Sequence, residues 1–196
     1  MSKKLRQILV IDGHPDPYPG RYVHALAESY CAAAIEAGHD VRSIRLADMD
    51  IPVLRSRDEW SDGAVSKDIK SGQDAISWAD HLVFLYPLWL GDVPAHLKAY
   101  LEQVMRPGFA LAYESPSGPS PLLKGKTAHI IVTMGMPALF YNAFYGAHSL
   151  RSFKRNILAI CGIDTINSSV IGNVEGSAKH REKWLKRIAG HGYFGD

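Results

Sequence analysis

Three short apolar runs in this chain each end in a loop built from glycine, proline and aromatic residues. Residues 5–12 (LRQILVID) lead into GHPDPYPG at 13–20, and residues 81–86 (HLVFLY) into PLWLGDVPAHLK at 87–98. Residues 127–133 (TAHIIVT) lead into TMGMPALFY at 133–141. Each run reads as a buried strand. Strands that alternate with helices imply a parallel sheet covered on both faces. In such a sheet the loops leaving the carboxyl ends of the strands line the ligand crevice. The pattern predicts an α/β protein whose three loops converge on one small-molecule site.

The remaining segments fit that frame. A helix is expected from about Tyr22 to Ala37, with Val23, Leu26, Tyr30 and Ala33/Ala34 on its apolar stripe. Gly38 closes it in the left-handed position. A half-exposed strand is expected over Asp40–Leu46, then a polar, proline-containing connection over 47–64 and a helix over Lys67–Trp78. Pro94 suits the first turn of a helix running to about Met105. Residues 107–125 hold Pro107, Gly108, Pro116, Gly118, Pro119, Pro121 and Gly125, a density of breakers that predicts a long loop without regular structure. A helix rich in Phe, Tyr and Leu lies within 140–161, a fifth strand near Thr165–Ile171, and a basic helix from about Ser177 to Ile188. Five strands favour the flavodoxin-like order 2-1-3-4-5, a doubly wound three-layer α/β/α domain spanning the chain.

Composition narrows the class. The 196 residues fit one domain with a full core. A net charge of +2 leaves no large basic face for nucleic acid, and no apolar run is long enough to span a bilayer. The first apolar run is too short for a secretory signal, so cytoplasmic residence is the expectation. Cys31 and Cys161 read as buried free thiols. The histidines form no metal-ligand motif.

Taken alone, each loop has a functional and a plain reading. The first lacks the dinucleotide fingerprint but ends at a helix N-terminus, where backbone N–H groups and the dipole favour a phosphate, with His14 and Arg21 adding charge-assisted bonds. Its plain reading is a rigid proline-rich turn. In the second, Pro87, Leu88, Trp89, Leu90 and Gly91 are apolar at a rim position, which a flat aromatic cofactor would cover; otherwise Trp89 packs on the following helix. The third offers the Thr133 hydroxyl and backbone N–H groups around Met134, Gly135 and Met136, or else is an ordinary strand-to-helix turn. Tyr141 and His148, seven residues apart, share a face if the helix is unbroken, and together can stabilise a developing anion. The basic terminal helix is a solvated face, with Trp184, Leu185 and Ile188 as its buried stripe.

Taken together these residues resemble the flavodoxin-like NAD(P)H:quinone oxidoreductases. The resemblance covers roughly residues 5–172 and is most specific over Tyr86–Leu111 (YPLWLGDVPAHLKAYLEQVMRPGFAL), with the His-Pro after strand one and Gly-Ala-His at 146–148. It implies a bound flavin reduced by NADPH or NADH, hydride transfer in a ping-pong cycle to a quinone-like acceptor, and a homodimer with its sites at the interface. Under it His14 contacts the flavin phosphate, Pro87 to Leu90 lie under the flavin ring, and Thr133 to Met136 hold its pyrimidine edge. Tyr141 and His148 form the charge relay, and Tyr113 covers the substrate cleft. The family often carries Ser or Thr before its first helix. Here Pro19-Gly20-Arg21 stands there, so Tyr18, Arg21 or backbone amides at Gly20, Arg21 and Tyr22 take over as phosphate ligands. Thr-Thr-Gly-Gly is replaced by Thr-Met-Gly-Met, and the aromatic after Phe109-Ala110 by Leu111. The chain lacks the C-terminal extension that helps hold the adenine half of FAD, which favours FMN. The competing class is a flavin-binding electron carrier or ancillary subunit of a membrane transporter, without small-molecule turnover.

Overall fold

The computed structural model describes residues 4–113 and 118–196. Its centre is a sheet of five parallel strands: β1 (Gln7–Asp12), β2 (Asp40–Arg45), β3 (His81–Pro87), β4 (Thr127–Thr133) and β5 (Asp164–Ile171). They lie in the order β2-β1-β3-β4-β5, the flavodoxin-like order. Asp12 pairs with Leu85, Pro87 with Thr133 and Thr133 with Ile171, so the carboxyl ends of four strands finish at one edge.

Sequence decides which strands are central. Every residue of β3 is buried, which requires the continuous apolar run HLVFLYP. The flanking strands are more open: no residue of β2 is fully buried, and β5 alternates in exposure along most of its length. Side-chain alternation then divides the core in two. Leu9, Ile11, Phe84, Tyr86, Ile130 and Val132 face one layer, while Ile8, Val10, Val83, Leu85 and Ile131 face the other. The second layer is α1 (Tyr22–Glu36) packed with α7 (Ala178–Phe194), the expected basic helix extended by six residues. The first includes α3 (Lys67–Trp78) and α4 (Ala95–Val104). Ser66 and Ser177 cap α3 and α7 by accepting backbone N–H groups of Ile69 and His180. Gly38 sits at φ +88, as the end of α1 demands.

One expectation is filled in and three need correction. The 47–64 connection is not wholly irregular: Leu46–Asp48 forms a 3-10 turn, and Ser56 caps the short helix α2 (Arg57–Asp62) by accepting the Glu59 N–H. Within 107–125, of which 114–117 lie outside the described residues, Leu111–Ala112 pairs antiparallel with Ser120–Pro121. Breakers there bound a tiny hairpin instead of preventing one. The helix expected within 140–161 is interrupted. α5 (Ala138–Ala143) and α6 (His148–Ser152) are separated by Gly146 and Ala147, both at positive φ. After α6 the chain runs through a wide π turn (Phe153–Leu158) and a 3-10 turn (Ala159–Cys161). Finally, Cys31 is half-buried and only Cys161 is buried; both are free, and desolvation pushes each thiol up to about 11. Among the described residues no helix is long and apolar enough to cross a membrane, and no cluster of three or more His, Cys, Asp or Glu could hold a metal.

Candidate functional site

The loop after β1 leaves the sheet through Gly13, whose N–H donates to the Leu85 carbonyl at 2.7 Å. A β-carbon there would stand 2.9 Å from that same oxygen, so the turn requires glycine. His14 follows, buried, with its backbone N–H donating to Asp12 Oδ1 at 3.1 Å. Its Nδ1 accepts the Asp16 N–H at 3.0 Å, so the ring proton sits on Nε2. Burial, then the nearby His24, lowers the His14 pKa, which keeps the ring a neutral donor at pH 7. Arg21 precedes α1 as its N-cap without capping it, and the first turn holds no acidic residue. That helix end thus remains open to an anion. The Arg21 Nε donates to Asp16 Oδ2 at 2.8 Å, so its charge is shared inside the loop. Asp16 is held below the ordinary carboxylate range by the Tyr18 N–H and then by Arg21.

After β3 the chain makes a tight reversal. Trp89 and Asp92 pair across Leu90 and Gly91, which sit at φ +48 and +81. Both central residues at positive φ define a type I′ turn. The half-exposed Trp89 ring meets His14 edge-on at 5.8 Å. Leu88 N–H donates to the Thr133 carbonyl at 2.8 Å, joining this loop to the next.

The loop after β4 is held by β5 and its own loop. Met134 N–H donates to Ile171 O at 2.9 Å, and Asn173 N–H to Met136 O at 3.1 Å. Gly172 makes this possible: a β-carbon there would lie 2.3 Å from the Ala138 nitrogen. Tyr141 is buried, and its hydroxyl accepts the Leu150 N–H at 3.3 Å. Desolvation raises its pKa, so it keeps its proton at neutral pH. The neighbouring Ser149 Oγ donates to Asp92 Oδ1 at 2.7 Å, which ties the second loop to α6.

These loops enclose two cavities. One, of about 310 Å³, is lined by His14, Arg21 and Tyr22, by Pro87, Leu88 and Trp89, and by Thr133, Met134 and Gly135. The other, of about 420 Å³, is lined by Leu88, Leu90 and Gly91 and by Met136, Tyr141, Tyr145 and His148. Leu88 borders both. The first is rich in donors; the second is mainly apolar with a buried phenol and an exposed imidazole at its wall. Tyr141 and His148 meet at one cavity although the helix between them is broken, because Gly146 and Ala147 turn the chain back.

Three candidates line neither cavity. Tyr18 is exposed and lies against the Arg21 guanidinium at 5.5 Å. Gly20 faces the Tyr18 ring, which a β-carbon would meet at 2.5 Å. Tyr113 packs edge-on to Trp60 at 5.9 Å and lines a separate cavity of about 250 Å³ with Leu101, Ile157 and Cys161. Tyr22 lines the first cavity, but its hydroxyl is committed to the Arg181 carbonyl at 2.8 Å, and burial raises its pKa to about 12.

Sequence reasoning missed Val174 and Glu175, which line the first cavity from the loop after β5, and Tyr145 in the second. The signal for Glu175 was its position: it follows the fifth strand at the same sheet edge. It also missed the buried pair of Asp12 and His24, bonded through Oδ2 and Nδ1.

Comparison with known proteins agrees with this architecture. Residues 6–191 match the model of a family described by its flavodoxin-like fold. A Haemophilus influenzae protein named as an uncharacterized NAD(P)H oxidoreductase is 30% identical over 171 residues, 85% of this chain and 83% of that one. A protein of Exiguobacterium sp. named FMN-dependent NADH:quinone oxidoreductase is 25% identical over 204 residues, 94% of this chain and 91% of that one. Among solved structures, an NAD(P)H:quinone oxidoreductase from Methanothermobacter marburgensis superimposes with a TM-score of 0.83 at 24% identity, covering 97% of this chain and 98% of its own.

Proposed function

The chain belongs to that flavodoxin-like family, and on this premise we propose that it is a flavin-dependent NAD(P)H oxidoreductase that passes two electrons to a quinone-like acceptor. The observation that carries the reading is the pair of cavities sharing Leu88, one lined by donors and one by apolar and aromatic groups. FMN has this same division into an anionic tail and a flat ring. The residues fit it. His14 Nε2–H and the open N-terminus of α1 suit the phosphate, with Arg21 beside them. Glu175 can accept hydrogen bonds from hydroxyl groups of the ribityl chain. Leu88 and Trp89 offer a surface for the ring, and the Thr133–Met136 segment offers backbone donors for its pyrimidine edge. The names of relatives such as the Exiguobacterium protein support FMN over FAD.

When bound, the flavin supplies hydride acceptance from the nicotinamide and donation to the acceptor in turn, a ping-pong cycle. The protein's own groups hold, shield and tune it. Leu88, Leu90 and Tyr145 give the second cavity apolar and aromatic walls. Tyr141, protonated at its buried hydroxyl, and His148 stand at the wall where negative charge on the ring would be met by hydrogen bonding. Two free thiols suit a reducing cytoplasm. The exposed Leu139, Phe140 and Phe144 beside the site suit burial against a second copy in a homodimer.

The test is direct. The purified chain should be yellow, release FMN on denaturation, and oxidise NADH or NADPH with a benzoquinone acceptor. A chain that holds FMN but turns over no nicotinamide would point to the carrier or ancillary class instead. A chain that binds no FMN at all would reject the reading.

A further inference from the structure

His24 lies on α1, buried under the first loop, and lines neither cavity. Both of its ring nitrogens are used. Nδ1 bonds Asp12 Oδ2, and Nε2 lies 2.9 Å from the Asp16 carbonyl. A carbonyl oxygen only accepts, so Nε2 carries a proton. His24 therefore grips the two ends of the segment that contains His14. The same two residues hold His14 directly: Asp12 Oδ1 accepts its backbone N–H, and the Asp16 N–H donates to its Nδ1. The His14 and His24 rings meet edge-on at 5.3 Å.

We propose that His24, with Asp12, is a positioning residue for the anion end of the site, clamping Asp12 and Asp16 so that His14 presents its Nε2–H to a phosphate. The inference rests on the FMN reading above and adds to it a residue that touches no ligand. Without His24, Asp12 and Asp16 lose their common anchor. The Asp16 N–H then no longer holds the His14 ring in one tautomer and one orientation. The ring surface of the flavin site is built from the loops after β3 and β4, and meets the first loop through Trp89, edge-on at His14. The loss should fall chiefly on the phosphate, which separates positioning from general structural support.

The experiment titrates the full chain, freed of bound flavin, with FMN and with riboflavin, which lacks the phosphate, and reads fluorescence quenching. For His24→Ala we expect FMN binding to weaken about tenfold, the effect of losing one hydrogen bond to a charged group, with riboflavin binding changed less than about twofold. His24→Gln places its side-chain amide where Nε2 stood and keeps a donor for the Asp16 carbonyl. It should recover part of the preference for FMN, and it serves as the working variant if His24→Ala does not fold. Equal weakening of both ligands, or no change in either, would overturn the proposal while leaving the flavin reading intact. A wild-type chain that binds neither ligand would remove both together.

Discussion

Trp89 and Asp92 exchange backbone hydrogen bonds, each 3.0 Å long, around a two-residue turn whose first member is a leucine in the left-handed region. Leu90 is fully exposed at that tip, and its conformation costs a non-glycine residue about 1–2 kcal/mol. That cost is borne at the mouth of the second cavity, which Leu90 lines. Leu90→Asn supplies the residue that type I′ turns prefer. We expect it to raise unfolding free energy by about 1 kcal/mol in urea titration, and to weaken binding of apolar acceptors as a rise in KM.

His148 and Tyr141 share a wall but differ in burial, so their substitutions should separate. His148→Ala removes an exposed side chain and should change stability by less than about 0.5 kcal/mol. It should retain flavin while slowing reduction by NADPH about a hundredfold, the low end for a positioned proton donor. Stopped-flow absorbance of the flavin checks this, and reduction at the wild-type rate would remove His148 from its role.

Gly172 packs its α-carbon against the main chain of the loop after β4. In Gly172→Ala the new methyl would stand 2.3 Å from the Ala138 nitrogen and 2.6 Å from the Met136 carbonyl oxygen. Backbone on both sides cannot swing away as a flexible side chain would. Destabilisation of about 3 kcal/mol is expected, with weaker flavin retention because Met136 must move. A thermal melt read with and without added FMN separates the two effects.

Acid should destabilise the fold earlier than its carboxylates alone require. Burial holds His81 down to about 3 and His129 down to about 4. Their partners are fixed: Thr127 Oγ1 at 2.7 Å for His81, and Ser169 Oγ and the Asp196 carbonyl at 3.0 Å for His129. Above the unfolded value of about 6.5 both states are neutral at these rings and pH has no effect through them. Below it the unfolded chain takes up protons that the native chain refuses, so stability falls as pH drops from about 6.5 towards 4, by about 1.4 kcal/mol per unit for each ring. His129→Gln should show a shallower decline over that window in urea titrations at stepped pH.

Much of the architecture was legible because the strong signals were local. The unbroken run HLVFLYP, seven residues long, reads as a buried central strand, and Gly38 marks the end of α1 at φ +88. The convergence of the three loops followed from strand order alone. What escaped was set by contacts distant in sequence or by competition within a loop. Arg21, expected as a phosphate ligand, lines the donor-rich cavity while it shares its charge with Asp16 five residues away, and Tyr18 lies against its guanidinium and lines neither cavity. The break between α5 and α6 carries no proline. Ala147 is held left-handed with its N–H donating to the Tyr141 carbonyl at 3.2 Å. His24 sits one place off the expected apolar stripe of α1, where a polar residue is unremarkable until its buried partner Asp12 is seen.

The bond from the Leu88 N–H to the Thr133 carbonyl continues the β3–β4 ladder one rung past the sheet. The floor common to both chambers is therefore an extension of the most deeply embedded part of the molecule. The Leu90 tip and the aromatic α5 segment stand solvent-facing beside it, so a guest would rest on bedrock between exposed shoulders.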